Sequence, residues 1–242
     1  MNVLALLQTA AYRIGIPAPT AYAENISLLH LLYEVCEECR NTRIFPQQKR
    51  TQTVTLVAGT YEYALAADFY SGLIGTQYDQ TNTWELVGPL TDSDWNYRLY
   101  APGGSSDGRN AYRIFGPDLK QITTSKMLKF DPDTLTAGTV SFDYVTGSMF
   151  YTSGGSLSTT LKETVAADTD IPMFDDDILI MGLKAAYKAS KVPGSETADR
   201  KKFEGMLESA VTRYGGAYRG SFNRKGPNRN AYSRGGILSW RF

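Results

Sequence analysis

The sequence is poor in the residues that catalytic sites use most often. It holds one histidine, His30, among 242 residues. Hydrolytic triads and three-histidine zinc sites need imidazole in a defined partnership with other side chains. Neither a phosphate-binding glycine loop nor a dinucleotide-binding fingerprint occurs in the chain. Most enzyme classes are therefore excluded, and we expect a protein with no catalytic residues and no cofactor.

Cysteine is also scarce. The two cysteines, Cys36 and Cys39, lie three residues apart in a predicted helix, which gives no disulfide framework and fits a reducing compartment. Together with His30 and Glu34 they suggest a zinc site, but one helix cannot direct all four side chains at one tetrahedral ion. We expect a packed helix here and no metal.

Long apolar runs are missing. The apolar start of the chain, Met1–Leu7, follows no basic segment and is soon broken by Gln8 and Arg13. A membrane-spanning helix needs about 20 mostly apolar residues, and a secretory signal carries basic residues before its apolar stretch. The sequence therefore predicts no signal peptide and no association with a membrane.

Acidic residues are absent from the last part of the chain. The formal net charge is zero, with 25 basic and 25 acidic residues, yet Thr212–Phe242 holds seven of the basic residues and none of the acidic ones. The rest of the chain is consequently negative by about seven charges. Opposite signs in body and tail predict that the tail binds an acidic surface, on another copy, on a different protein or on nucleic acid.

Apolar periodicity predicts helices at both ends of the chain. Steps of three and four residues indicate helices at residues 2–14, 21–40, 175–192 and 195–214. Between them, alternating apolar residues and turn residues predict short strands, beginning with a hairpin of Thr51–Leu56 and Tyr61–Leu65. We expect an α+β fold, with a helical bundle formed by the N- and C-terminal helices and an inserted antiparallel β domain. The predicted parts are N-terminal helices (1–45), a β-sandwich or barrel (46–170), C-terminal helices (171–216) and an extended arm (217–242).

Five aspartates precede or begin the third of these helices. They are Asp168, Asp170, Asp175, Asp176 and Asp177. A calcium ion takes six to eight oxygen ligands, but the spacing matches no EF-hand loop. Acidic residues at a helix start cap its free N–H groups and complement its dipole. We therefore interpret the run as helix capping, with cation binding as the alternative.

The C-terminal arm carries the strongest functional signal. Aromatic rings and basic side chains alternate along it, and both classes are enriched at protein interfaces. Protein docking is the favoured interpretation. Nucleic-acid contact through stacked rings and paired phosphates and a solvated tail with no partner are the alternatives. The residues predicted to bind a partner are Tyr218, Arg219, Phe222, Arg224, Lys225, Arg229, Tyr232, Arg234, Trp240, Arg241 and Phe242.

From Met1 to Gly216 the chain resembles the tail adaptors, or head-to-tail connectors, of short-tailed bacteriophages, the group that includes tail tubular protein A. The resemblance rests on the order of several short segments after an N-terminal helix pair. Ala185 and Ala186 depart from it, since the family is more aromatic in that helix. The segments are Phe45–Gln48, Thr53–Leu65, Trp84–Leu90, Tyr112–Gly116, Ser141–Val145 and Asp176–Lys184.

This resemblance implies a structural protein of the virion, assembled in the cytoplasm of the host bacterium. It implies a homo-oligomeric ring, typically of twelve copies, that sits under the portal protein and presents a platform to the tail nozzle and fibres. DNA would pass through the channel of such a ring without sequence-specific binding. The arm would reach toward the portal, although no residue motif of the family covers it.

Two other functions remain open from the sequence. A nucleic-acid-binding protein would use the Arg, Gly and aromatic residues of the arm, and its affinity would fall steeply with salt. A tail-associated hydrolase would need two acids that meet in a cleft of the β domain, and the sequence singles out no such pair.

Overall fold

The computed structural model describes residues 1–42, 45–73, 75–101, 109–115, 127–131, 137–153 and 161–214, with side chains described up to Ala210. Within these ranges the chain forms five α-helices and antiparallel sheets, which confirms the predicted α+β class. No helix in the described ranges is both long enough and apolar enough to cross a membrane. The helices are α1 (Val3–Ile14), α2 (Ile26–Thr42), α3 (Asp92–Tyr100), α4 (Asp176–Lys191) and α5 (Thr197–Tyr214).

The strands are short. In the part of the chain that the structure describes, only two strands exceed four residues, and the last three contain two residues each. They are β1 (Lys49–Leu56), β2 (Glu62–Ala64), β3 (Phe69–Gly72), β4 (Tyr78–Asp79), β5 (Trp84–Glu85), β6 (Tyr112–Phe115), β7 (Met127–Phe130), β8 (Gly138–Thr146), β9 (Phe150–Tyr151), β10 (Leu161–Lys162) and β11 (Ile171–Pro172).

The chain divides into two compact units. The helical unit consists of residues 1–50 and the chain from residue 145 to the end of α5, and the β unit consists of residues 51–144. The structure thus groups residues 145–170 with the helices, because Met149, Phe150 and Val165 are buried in the same apolar core as the helices. The four-part division of the chain into domains stays a prediction, and its last part, 217–242, lies outside the described residues.

Helix α4 is the centre of the helical unit. It contacts α1, α2 and α5, and its residues from Ile178 to Leu183 are all buried. A helix that is apolar on most sides is stable only when neighbours cover it. The sheet β10-β9-β11 adds Phe150 to this core. The ring of Phe150 packs edge-on against the ring of Tyr33, with the two centroids 5.8 Å apart.

Helix α2 begins at Ile26, five residues after the predicted start. The side chain of Asn25 accepts a hydrogen bond from the N–H of Leu28 at 3.0 Å, which is how an asparagine caps a helix. In the preceding turn, Glu24 accepts hydrogen bonds from the backbone N–H and the hydroxyl of Thr20, and the first of these lowers the pKa of Glu24 most. Local side-chain hydrogen bonds therefore stabilise a turn where apolar periodicity predicted helix.

The absence of a side chain at Gly182 permits the close packing of α4. A Cβ atom at this position would lie 2.5 Å from Cγ1 of Val35 and 2.9 Å from Cε2 of Phe203. These residues belong to α2 and α5, so the three helices meet at Gly182. Both neighbours are almost fully buried and have little room to move.

Replacing Gly182 with alanine is expected to destabilise the protein by about 1–3 kcal/mol, because the added methyl overpacks the core. Gly205 of α5 is the matched control, since a Cβ atom there meets nothing within 4 Å. Gly205→Ala is expected to stabilise the helix by about 0.5–1 kcal/mol. Urea unfolding followed by circular dichroism measures both. Equal midpoints for the two variants would contradict this account of the packing.

The β unit contains two antiparallel sheets that share one apolar core. The first has the order β1-β8-β4-β5 with β3 also on β8, and the second has the order β2-β7-β6. Leu56 of β1, Phe130 of β7 and Phe142 of β8 all belong to the core. Residues from both sheets are thus buried together, as in a packed pair of sheets.

The predicted hairpin of Thr51–Leu56 and Tyr61–Leu65 is wrong. Strand β1 pairs with β8, and β2 pairs with β7, with Tyr63 opposite Leu128. The side chain of Gln52 links the two segments, because its amide donates to the carbonyl oxygen of Ala64 at 3.1 Å and accepts from the N–H of Ala66 at 2.9 Å. The two segments are neighbours through a side chain and not through a backbone ladder.

A buried ion pair fixes α3 in the β unit. The predicted helical turn at residues 93–97 is a nine-residue helix capped by the hydroxyl of Thr91. From this helix, Nε of Arg98 donates to Oδ2 of Asp131 at 2.6 Å, and both side chains are at most 5% exposed. The same guanidinium donates to the carbonyl oxygen of Arg109 at 2.8 Å. The backbone N–H of Asp131 donates to the carbonyl oxygen of Ala111.

Asp131→Ala is expected to destabilise the protein by about 3–5 kcal/mol, because it leaves the Arg98 charge buried without its carboxylate. The ion pair of Arg113 with Asp92 provides the control, since Asp92 is 94% exposed. Asp92→Ala is expected to change the free energy of unfolding by at most about 1 kcal/mol. Thermal unfolding distinguishes the two. A small effect at Asp131 would show that the buried pair contributes little.

Candidate partner-docking site

The residues predicted to bind a partner lie outside the described part of the structure. All of them belong to the arm, after the last described residue of α5. Their role stays a prediction. They are Tyr218, Arg219, Phe222, Arg224, Lys225, Arg229, Tyr232, Arg234, Trp240, Arg241 and Phe242.

The pairing of α4 with α5 shows which part of the helical unit lies beside the end of α5. Asp199 near the start of α5 accepts a hydrogen bond at 2.6 Å from Lys188, near the end of α4, and pairs at 3.1 Å with Lys184. These two lysines lower the pKa of Asp199, chiefly through the Lys188 hydrogen bond. The space beside Gly182 is filled by Phe203. The two helices are therefore antiparallel, and α5 ends beside the start of α4, about one turn beyond it.

A groove of about 300 Å³ opens at this start of α4. Every residue that lines it belongs to the helical unit. Most of the lining is apolar or aromatic, with one amide and two carboxylates. The lining residues are Met1, Phe45, Gln47, Tyr151, Ile171, Pro172, Met173, Phe174, Asp175 and Asp176.

Aromatic packing forms the apolar side of the groove. The rings of Phe45 and Phe174 meet edge-on with their centroids 5.3 Å apart, a favoured geometry for aromatic pairs. Both rings are nearly buried, so they pack at the base of the groove and leave little surface open to a ligand. The amide oxygen of Gln47 is buried and has no hydrogen-bond partner among the described residues, although a buried acceptor is costly to leave unpaired.

The acidic side of the groove is the first turn of α4. Asp175 caps the helix by accepting from the N–H of Asp177 at 3.2 Å, which confirms the predicted capping. Asp176 accepts from the N-terminal amine of Met1 at 2.9 Å and is 35% exposed, whereas Asp177 is 70% exposed and lies 3.9 Å from Arg13. The carboxylates also favour the positive end of the helix dipole.

Asp168 and Asp170 tie the segment before the groove to the helical unit. The backbone carbonyl of Asp170 accepts from the N–H of Val3 at 2.7 Å, and the side chain of Asp168 accepts from the N–H of Tyr22 at 2.6 Å. The buried side chain of Asp170 accepts from Lys162 at 2.8 Å. Two backbone N–H groups, of residues 166 and 167, donate to its other oxygen at 2.7 and 3.0 Å. These contacts position β11, which lines the groove.

The hydrogen bonds determine the acidity of Asp170. Burial alone would raise the pKa of its carboxyl, but the hydrogen bonds from Lys162, Ala166 and Ala167 favour the charged form, so that the pKa is lowered from its ordinary value of 3.8. The charged form is thus the one the fold stabilises. This contribution is complete above the unfolded-state pKa and is lost as the pH falls through the lower, folded-state pKa.

Asp170→Asn is therefore expected to lower stability at neutral pH, with a difference from the unmodified protein that shrinks as the pH falls below the ordinary pKa of 3.8. Urea unfolding at a series of pH values between 3 and 7 measures this difference. Asp177→Asn is the control, because its side chain is largely exposed. A difference that persists undiminished at acidic pH would contradict the assignment to the Asp170 carboxylate.

The four residues considered for zinc lie on different faces of α2. His30 and Glu34 are exposed, whereas Cys36 and Cys39 are fully buried. Burial is the main cause that raises the pKa of both thiols, so they remain protonated and pack as apolar side chains. Among the described residues, no group of three or more histidine, cysteine, aspartate or glutamate side chains is arranged to hold a metal ion.

Two segments of the groove carry sequence signals of their own, residues 45–48 and the acidic run at 175–177, whereas Tyr151 and Ile171 carry none. A proline close to an aromatic residue occurs in both walls: Pro46 directly follows Phe45, and Pro172 lies two residues before Phe174. A second feature that the sequence analysis missed is a pair of exposed tyrosines on α3, Tyr97 and Tyr100.

The family model described as SU10 adaptor protein matches residues 1–231 of the chain. The match therefore includes all residues that the structure describes and part of the arm. No curated protein matches the chain.

Proposed function

The chain belongs to the SU10 adaptor protein family, and on that premise we propose that it joins the portal ring to the tail nozzle and fibres of a short-tailed phage. The family consists of phage adaptor proteins, so the chain is a structural component of the virion with a non-enzymatic role. The match over nearly the whole length is the observation that carries the proposal.

In this proposal the arm binds the portal protein. Its basic residues and rings are suited to a partner surface that is acidic and partly apolar. The helical unit forms the ring, and the arm follows the end of α5 along the chain. Twelve copies around a channel fit the proposal, with the tail nozzle or fibres on the remaining surface and DNA passing through. Assembly takes place in the host cytoplasm.

A ring makes weak single contacts sufficient. When one arm binds, the others are held at a high effective concentration near their own sites, so the affinity of the whole ring exceeds that of one arm by orders of magnitude. An arm that becomes ordered only on binding loses entropy at that step. Each contact then stays weak, and assembly depends on having the complete portal surface present.

Deletion of residues 217–242 is expected to abolish capture by portal protein, because it removes six of the 25 basic residues together with the rings between them. The measurement is co-purification of the tagged adaptor with portal rings. Circular dichroism of the truncated chain checks that its body remains folded. Normal capture of the truncated protein would overturn the proposed role of the arm.

Two further variants separate protein docking from nucleic-acid binding. One replaces Tyr218, Phe222, Tyr232, Trp240 and Phe242 with alanine and keeps all charges. The other replaces the arginines of the arm with glutamine and keeps all rings. Protein docking is expected to need both sets of residues. Nucleic-acid binding would depend mainly on the charges and fall steeply between two salt concentrations in a gel-shift assay, and such a result without portal capture would favour that function.

A further inference from the structure

The groove at the start of α4 has a composition that selects a particular kind of ligand. Its lining includes Tyr151 and Ile171, which are partly exposed, and its rim carries the carboxylates of Asp175 and Asp176. Asp176 accepts from the N-terminal amine of Met1 and is still 35% exposed. A ring beside a cation suits this lining, because the ring packs on the apolar side while the cation donates charge-assisted hydrogen bonds to the carboxylates.

The chain itself contains such a ligand shortly after α5. Arg219 directly follows Tyr218, and Arg224 and Lys225 lie two and three residues after Phe222. No acidic residue interrupts this stretch. Its charge is opposite to that of the groove rim, which makes the two complementary.

The length of this stretch sets how far it reaches. An extended chain spans at most about 3.3–3.6 Å per residue, so residues 215–225 reach about 35 Å from the end of α5. A small domain is about 30 Å across. The ligand stretch is therefore long enough to reach the helical unit of an adjacent copy in a ring, while residues 226–242 remain for the portal.

Each copy offers one groove and one arm. Because the groove and the arm are unlike surfaces, their contact determines the kind of assembly. A contact between two unlike surfaces of identical chains is head-to-tail, and repeated rotation closes it into a ring. A contact between identical surfaces would stop at a dimer. Exchange of arms from each copy to the next is thus compatible with cyclic assembly.

We propose that the groove at the start of α4 binds residues 217–225 of the adjacent copy in the ring. The inference rests on the proposed function and deepens it, because it assigns the contact between adaptor copies to part of the arm. Phe222 packs on the partly exposed apolar lining at Tyr151 and Ile171, and the neighbouring basic residues pair with Asp175 and Asp176.

Photo-crosslinking of the full-length protein tests this contact. p-Benzoylphenylalanine is introduced in place of Phe222 in one batch, which is mixed with a ¹⁵N-labelled batch and assembled on portal rings. We expect crosslinks from position 222 to residues 45–47 or 171–176 of the other isotope label. Crosslinks to that groove within one label only would identify the chain's own arm as the occupant and overturn the exchange. Crosslinks elsewhere, or none, would overturn the groove itself.

Charge reversal tests the acidic rim. Asp176→Lys is expected to lower the crosslink yield about fivefold, as the loss of one partly exposed charge contact implies. Asp177→Lys is the matched control, because it changes the same helix turn by the same charge, yet Asp177 does not line the groove. Combining Asp176→Lys with Arg219→Glu and Arg224→Glu is expected to restore the crosslink. Equal yields from the two single variants would contradict a role for the rim.

Portal capture is scored in the same samples and keeps the two proposals apart. If portal is captured but position 222 crosslinks outside the groove, the arm exchange fails and the adaptor function stands. If the groove crosslink forms in the adaptor alone while portal is never captured, the portal function fails and the contact between copies stands.

Discussion

The burial of α4 between its three neighbouring helices is the constraint on which the helical unit depends. Residues from Ile178 to Leu183 are buried because α1, α2 and α5 surround the helix, and the approach at Gly182 leaves no space for a methyl group. A helix enclosed in this way meets solvent mainly at its ends. The first turn, with Asp175 and Asp176, is such an end, so the acidic rim of the groove lies at the surface as a consequence of the packing of the rest.

Hydrogen bonds add to the stability that the apolar core gives to the helical unit. Strand β11 contains two residues and pairs with one neighbour, β9, which is too short a ladder to hold a segment by itself. The carboxylate of Asp170 accepts one hydrogen bond from Lys162 of β10 and two from the backbone of the loop that follows β10, and its backbone carbonyl accepts a hydrogen bond from the N–H of Val3. Part of the wall of the groove is therefore held by hydrogen bonds to one buried charge, so its stability depends on the ionisation of that group.

The helices were predictable because their signal is local, whereas the strand partners were not. The start of α4 agrees with the prediction to one residue, since apolar period and acidic cap coincide there. Alternation at 51–56 and 61–65 indicated strands but not their partners, and the side chain of Gln52 occupies the position a ladder would need. The groove is lined by residues near 45, 151 and 171, which are far apart in sequence. No local pattern predicts that these residues lie together. The residues of the arm remain predicted from sequence alone.

The distribution of charge gives a physical reason for ordered assembly. Bodies that are negative by about seven charges repel one another, so isolated copies resist association through their bodies alone. An arm of opposite sign offsets this repulsion only where it reaches an acidic surface. If each arm occupies a groove on the next copy, every added copy brings one new attractive contact, an open chain of any length keeps one vacant groove, and only closure of the ring fills it. The last contact is then intramolecular, and its high effective concentration favours the closed ring over open chains.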